Sequence, residues 1–288
     1  MPKAVRNYDG VELRLTTTHP MHGVSGMFSY TWSSLWGNYT GLTTTDQSDG
    51  GITGRNSPDT TRSFDEPFYY FGANGKSTNG PLPTDRPNVL KGYVYYSLPW
   101  KHMSTTVGLF QAAYEGSPVS SYIDLSAMFG PSVSEATYIY GRGKVVDMTT
   151  DANGNITLGT PYNKRTPWFT QSDLNLAHQI KVGERQSLQF EATALNVLNQ
   201  HAVTAFWAGM NSLNFATPLY PGLDSSGNPI NLASGAELYQ VLEGGYNVQQ
   251  WINGNGGLVP AVFLNSQYKQ PYLYQNGRSL RLAVRFTF

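Results

Sequence analysis

The chain reads as all-β: an antiparallel up-and-down segment of a transmembrane β-barrel with about seven strands. Three observations predict it. The ending Arg278-Ser-Leu-Arg-Leu-Ala-Val-Arg-Phe-Thr-Phe288 alternates without a fault. Long alternating runs recur along the chain, and their connections are short and long by turns. Charged residues are only 13% of the 288, about half the usual globular share of ~25%, while aromatics also reach 13%.

The final run sets the pattern. Leu280, Leu282, Val284, Phe286 and Phe288 fall on one face, Ser279, Arg281, Ala283, Arg285 and Thr287 on the other. A terminal Phe adds little to a soluble domain, whose last residues fray. A strand between lipid and water uses both faces.

Earlier runs agree. Val11, Leu13 and Leu15 oppose Glu12, Arg14 and Thr16. After the turn Thr18–His22, Val24, Gly26, Phe28, Tyr30 and Trp32 oppose Ser25, Met27, Ser29, Thr31 and Ser33. Leu90, Gly92, Val94, Tyr96 and Leu98 oppose Lys91, Tyr93, Tyr95 and Ser97. Beyond the turn Pro99–Met103, the run to Tyr114 is less regular. Gly108, Phe110, Ala112 and Tyr114 are assigned to its apolar face, with Val107 and Leu109 competing. Leu174, Leu176, Ile180 and Val182 oppose Asp173, Asn175, Gln179 and Lys181. Past the tight turn Gly183–Arg185, Leu188, Phe190, Ala192 and Ala194 oppose Ser187, Gln189, Glu191 and Thr193.

The remaining connections, Gly37–Arg86, Glu115–Thr166 and Asn199–Gly277, run to roughly 45–80 residues, far beyond ordinary loop lengths. In a meander alternate connections share an end, so the three short turns lie at one rim and the three long segments at the other, as in outer-membrane barrels. Asp151–Asn155 is a turn expected to cap a small hairpin, and Ala236–Leu242 a helical turn or two. Trp100, Phe286 and Phe288 near one rim, with Tyr30, Trp32, Trp36, Trp168 and Phe169 near the other, resemble interfacial girdles. A soluble β-sandwich also alternates, but its strands are ~5–6 residues long and its long connections fall at both ends.

Several functions are disfavoured. Net charge is zero, unlike a nucleic-acid binder. Cysteine is absent, which removes thiolate metal sites and thiol nucleophiles. No apolar run reaches the ~18 residues of a membrane helix. The opening Met-Pro-Lys-Ala-Val-Arg lacks the apolar core of a secretory signal, so none is expected within these residues. His19-x-x-His22 has no third ligand nearby, Asp151-x-Asn153-x-Asn155 lacks the glycine and closing acid of a calcium loop, and Asp46, Asp49, Asp59 and Asp65 read as solvated. No nucleophile elbow, phosphate loop or dinucleotide fingerprint occurs, so neither catalysis nor a cofactor is expected. Charges of both signs on the polar face, Glu12, Arg14, Lys91, Asp173, Lys181, Glu191, Arg281 and Arg285, are costly in a dry core and suit a wet lumen wall.

Three motifs carry a family resemblance: Asp85-Arg86-Pro87 before a strand, Phe190-Glu-Ala-Thr-Ala-Leu-Asn-Val-Leu-Asn199, and the ending Arg281-Leu-Ala-Val-Arg-Phe-Thr-Phe288. The chain resembles the C-terminal barrel portion of a TonB-dependent outer-membrane receptor of the Oar-like group. In the ending, Arg281, Phe286 and Phe288 match the family's barrel-assembly signal, and Ala283 stands where that signal has glycine. The resemblance implies a barrel of about 22 strands, a location in the outer membrane of a Gram-negative bacterium, and substrate uptake. It also implies lipid and the barrel-assembly machinery as partners, with TonB engaged only through an N-terminal part that has no counterpart here. Residues 1–288 then form a C-terminal piece without plug, TonB box or early strands. A carbohydrate or peptide would suit the loops. A secreted carbohydrate-binding β domain and a passive porin or adhesin are the alternatives.

Overall fold

The computed structural model describes residues 3–17, 20, 22–39, 71–124, 136–153, 155–210, 243–245, 249 and 265–288. Seven long strands dominate: β1 (Arg6–Thr16), β2 (Val24–Gly37), β3 (Asn88–Pro99), β4 (Met103–Tyr114), β5 (Phe169–Lys181), β6 (Ser187–Leu195) and β7 (Ser279–Thr287). Each pairs antiparallel with the next in chain order, and the short strand Gly80–Pro81 adds to the far end of β2. Among the described residues β1 pairs only with β2 along its length, and β7 only with β6. The strands run from 9 to 14 residues. A 12-residue strand such as β3 is ~40 Å long, and tilted by ~45° it rises ~28 Å, close to the ~25 Å apolar band of a membrane barrel.

The turns Pro99–Met103 and Gly183–Arg185 share one rim with the β1–β2 connection, whose residues 18, 19 and 21 lie outside the described residues. Trp100 N–H donates to Met103 O, and Val182 N–H to Gln186 O, both at 2.8–2.9 Å. The long connections leave from the other rim and carry small hairpins. Met148–Thr150 pairs with Ile156–Leu158 across the expected Asp151 turn, whose carboxylate accepts the N–H groups of Asn153 and Asn155 at 2.8 Å. Val203–Phe206 pairs with Pro271–Tyr274, a ribbon the alternation did not announce. The Ala236–Leu242 turn expected from the sequence lies outside the described residues, although 243, 244 and 249 are helical.

Register joins one face across all seven strands. Leu13 lies opposite Tyr30, Tyr30 opposite Leu90, Val94 opposite Leu109, Leu109 opposite Leu174, Leu174 opposite Ala194, and Ala194 opposite Leu280. This corrects the expectation for β4. Its outward side chains are Val107 and Leu109, aligned with Tyr96 and Val94, while Gly108, Phe110, Ala112 and Tyr114 face inward. The alternation misled because both faces of β4 are apolar. Phe169, grouped with the girdle aromatics, also faces inward, opposite Tyr114.

The outer face has no second layer over it among the described residues. Leu280, Leu282 and Val284 are 65–75% exposed. Buried apolar side chains gather instead among the long connections, around Leu82, Tyr122, Tyr138, Ile139, Val145, Val146, Met210 and Tyr268. A sandwich would bury the strands' apolar side chains between sheets; here they stay exposed, and the packed core is a cap at the loop rim.

Polar side chains on the outer face lie toward its ends, and two pairs of them bond across strands. Thr105 Oγ1 bonds His178 Nδ1 at 2.9 Å near the turn rim, and Ser172 Oγ donates to Gln111 Oε1 at 2.5 Å near the loop rim. Between them run Val107, Leu109, Leu174 and Leu176, leaving an apolar waist.

Candidate functional site

The inner face is the chemically varied surface. Glu12, Arg14, Lys91, Asp173, Lys181, Glu191, Arg281 and Arg285 all fall on it, because each shares its register row with inward neighbours. A ladder of hydrogen bonds crosses the strands here. Ser29 Oγ donates to Glu12 Oε1 at 3.1 Å, Asn175 Nδ2 to Glu191 Oε1 at 2.8 Å, and Gln179 Nε2 to Ser187 Oγ at 3.0 Å. Asp173 accepts from Gln171 Nε2 and also from the backbone N–H of Asn196 at 2.8 Å. The Tyr93 and Tyr95 rings stack at 6.2 Å on the same face.

The four residues of the expected assembly signal divide between faces. Phe286 lies outward opposite Leu188, and Phe288 continues just past β7 with its ring 6.2 Å away. Arg281 and Ala283 face inward, opposite Thr193 and Glu191.

At the loop rim, buried polar groups tie separate connections together. Asp85 is 3% exposed. Its Oδ1 accepts the Leu35 N–H at 2.7 Å, and its Oδ2 pairs with Arg165 Nη2 at 2.5 Å. Arg165 Nη1 also donates to the Gly116 carbonyl at 3.0 Å. Gly116 is required by packing, since a Cβ there would lie 1.6 Å from the Thr166 carbonyl oxygen. Asn38, also buried, accepts the Val5 N–H at 2.7 Å and donates to Lys3 O and Ser77 Oγ, while Arg142 Nη2 donates to the Asn38 carbonyl. Asn196 and Asn199 both take positive φ, 52° and 54°, which asparagine tolerates better than most residues. Asn196 Oδ1 accepts the Gln200 N–H and its Nδ2 donates to the carbonyls of Gln200 and Asn276; Asn199 Oδ1 accepts the Arg278 N–H. Asn196-Val-Leu-Asn199 is thus a turn that ends β6 and receives the chain before β7. Sequence reasoning marked the Asp85 and Asn196 motifs but not these bonds, and it missed Asn38, Arg142 and Arg165.

A groove of about 610 Å³ opens on the inner face just below this rim. Tyr8, Ser33, Lys91, Tyr114 and Phe169 line it from five strands, with Arg86 from the connection before β3. The Lys91 ammonium lies 5.6 Å from the Tyr114 ring centroid, and that ring is 5.7 Å from Phe169. Arg86 Nη1 donates to the Glu115 carbonyl at 2.9 Å. Burial holds the Arg86 guanidinium below its ordinary pKa; Tyr114 opposes this, and nearby Arg165 adds to it.

In the cap, Tyr268 is buried with its hydroxyl against Ser121 Oγ, and it accepts the Val146 N–H at 3.2 Å. Burial raises its pKa, and burial together with Tyr268 pushes Tyr140 up to about 12. Among the described residues no three His, Asp or Glu side chains group as a metal site. His22 is a turn residue at φ 52°, whereas His19, Asp46, Asp49, Asp59 and Asp65 lie outside the described residues. No helix among the described residues is long and apolar enough to cross a membrane, which says nothing of strands.

Among curated proteins, the chain is similar to the TonB-dependent transporter Oar of Myxococcus xanthus, 24% identical over 294 residues. That match covers the whole of this chain and 23% of the transporter, so the chain spans about a quarter of that relative's length. No family model and no solved structure matches. The all-β antiparallel sheet and this distant similarity to a TonB-dependent transporter agree at the coarse level.

Proposed function

We propose that the chain forms C-terminal barrel wall of a TonB-dependent receptor of the Oar-like group, in the outer membrane of a Gram-negative bacterium. Its work is transport rather than catalysis. The observation that carries the reading is the apolar face continued by register through seven strands and left uncovered among the described residues. Six inter-strand gaps at ~4.8 Å make it ~29 Å wide, well beyond the patch a soluble monomer exposes. Lipid covers it without specific contacts, and closure of the barrel needs further strands on β1 and β7.

On this reading Glu12, Arg14, Lys91, Asp173, Lys181, Glu191, Arg281 and Arg285 line a wet lumen, and the long connections face outside to meet substrate, a carbohydrate or peptide. The strand ending at Phe288, with Arg281, Ala283 and Phe286, is the segment offered to the barrel-assembly machinery. TonB acts through another part of the receptor.

The test is fractionation with surface proteolysis. The chain is expected in the outer-membrane fraction, released only by detergent. Protease added to intact cells is expected to cut within residues 37–86, 115–166 or 199–277 and to spare the three short turns. Recovery in the aqueous fraction, or cleavage first at residues 183–185, contradicts the reading.

A further inference from the structure

This inference rests on the lumen reading of the inner face. We propose that the groove at its loop rim binds an organic carboxylate carrying a flat apolar body. The anionic group sits between Arg86 and Lys91, and the body lies against the Tyr114 and Phe169 rings.

The composition of the groove argues for this ligand. Its volume of about 610 Å³ is that of a small-molecule site. Two cations from different segments line the groove with one ring: Lys91 reaches Tyr114 from β3, and Arg86 comes from the rim. None of the described lining residues is acidic. Lys91 has a ring contact but no anionic partner among the described residues, and Arg86 commits a single N–H, to the Glu115 carbonyl. A guanidinium has five donors in a fork that matches a carboxylate, so most of its capacity stays available. The half-buried Arg86 charge costs solvation that an incoming anion would offset. The Tyr114 and Phe169 rings, in contact at 5.7 Å, together present an apolar surface on which a planar group can lie, and Thr31 adds a hydroxyl for orientation. A neutral sugar would use the rings but leave both cations unanswered.

The experiment titrates the full chain with N-acetylphenylalanine and with its carboxamide, which keeps the shape and removes the charge. Binding is followed by calorimetry in whichever medium, detergent or plain buffer, gives the β circular-dichroism signature. A sheet that forms in plain buffer would count against the membrane reading and leave the binding test intact. The acid is expected to bind about tenfold or more tighter than the amide. Added salt should weaken the acid alone. Lys91→Met, whose parent side chain makes only the ring contact, should erase the preference while the amide still binds; Arg86→Gln, checked for an unchanged sheet signal, should reduce it. Equal binding of acid and amide, no saturable binding, or a preference that survives in both variants would overturn the proposal.

Discussion

The outer and inner faces of the same seven strands are stabilised in opposite ways. Outside, Leu13, Leu109, Leu174 and Leu282 make a surface with almost no directional bonds. Inside, Glu12, Asp173, Asn175 and Glu191 are each held by a neighbouring strand's hydroxyl or amide, or by one along their own strand. On the proposed reading, one backbone alternation serves two solvents. A slip of one residue exchanges every side chain between them, so the faces specify register jointly. The loop rim is where the two faces end, and there specificity passes to buried polar clamps.

The difference between faces is broken most severely by placing a charge outside. Leu282→Arg should cost about 2–4 kcal/mol, with Ala283→Arg, one residue on and facing inward, within about 0.5 kcal/mol. Urea unfolding in detergent reads both. Next comes the rim. Asp85→Ala removes the acceptor of the Leu35 N–H and the nearer carboxylate of Arg165, and should cost roughly 2–3 kcal/mol, less than a fully buried pair because Arg165 keeps some solvent and Glu115 at 3.8 Å. Asn196→Ala loses three hydrogen bonds made by its side chain and takes a strained φ, about 1–2 kcal/mol, with Asn196→Gly recovering part of it.

The smallest effect separates the cap from the sheet by pH. Tyr268 and Tyr140 have folded-state pKa values raised above the ordinary 10.0, Tyr140 to about 12. Their folded state therefore holds protons that the unfolded state releases. Their contribution is complete below pH 10 and is lost as pH rises toward 12. Proteolysis of the long connections should quicken over that window while the sheet's circular dichroism holds, and Tyr268→Phe should flatten the slope.

What could be read from the sequence follows the same division. β7, the turns Pro99–Met103 and Gly183–Arg185 and the Asp151 hairpin were legible because each is a local pattern: strict alternation, or turn residues at fixed offsets. β4 was not, since Phe110 and Tyr114 lie on the inner face while Val107 and Leu109 face outward, and hydropathy alone does not rank them. The aromatic inner residues Tyr93, Tyr95 and Phe169 blur the contrast in the same way. The eight inner charges could be assigned to one face, because charge on an alternating strand marks its polar side. The rim clamps could not be foreseen. Asp85 meets Arg165 across 80 residues, and the groove draws on five of the long strands. Nor was the ribbon of Val203–Phe206 with Pro271–Tyr274, whose partners lie far apart in the chain.

The chain contains no cysteine, so single cysteines can be introduced along β7 without background. Each position from 279 to 287 is labelled with a nitroxide in bilayers, and its accessibility to oxygen is compared with that to a water-soluble nickel chelate. Leu280, Leu282, Val284 and Phe286 are expected to favour oxygen, with Ser279, Arg281, Ala283, Arg285 and Thr287 favouring the chelate in strict period two. Loss of that period, or chelate access to both faces, would contradict the assignment of the outer face to lipid.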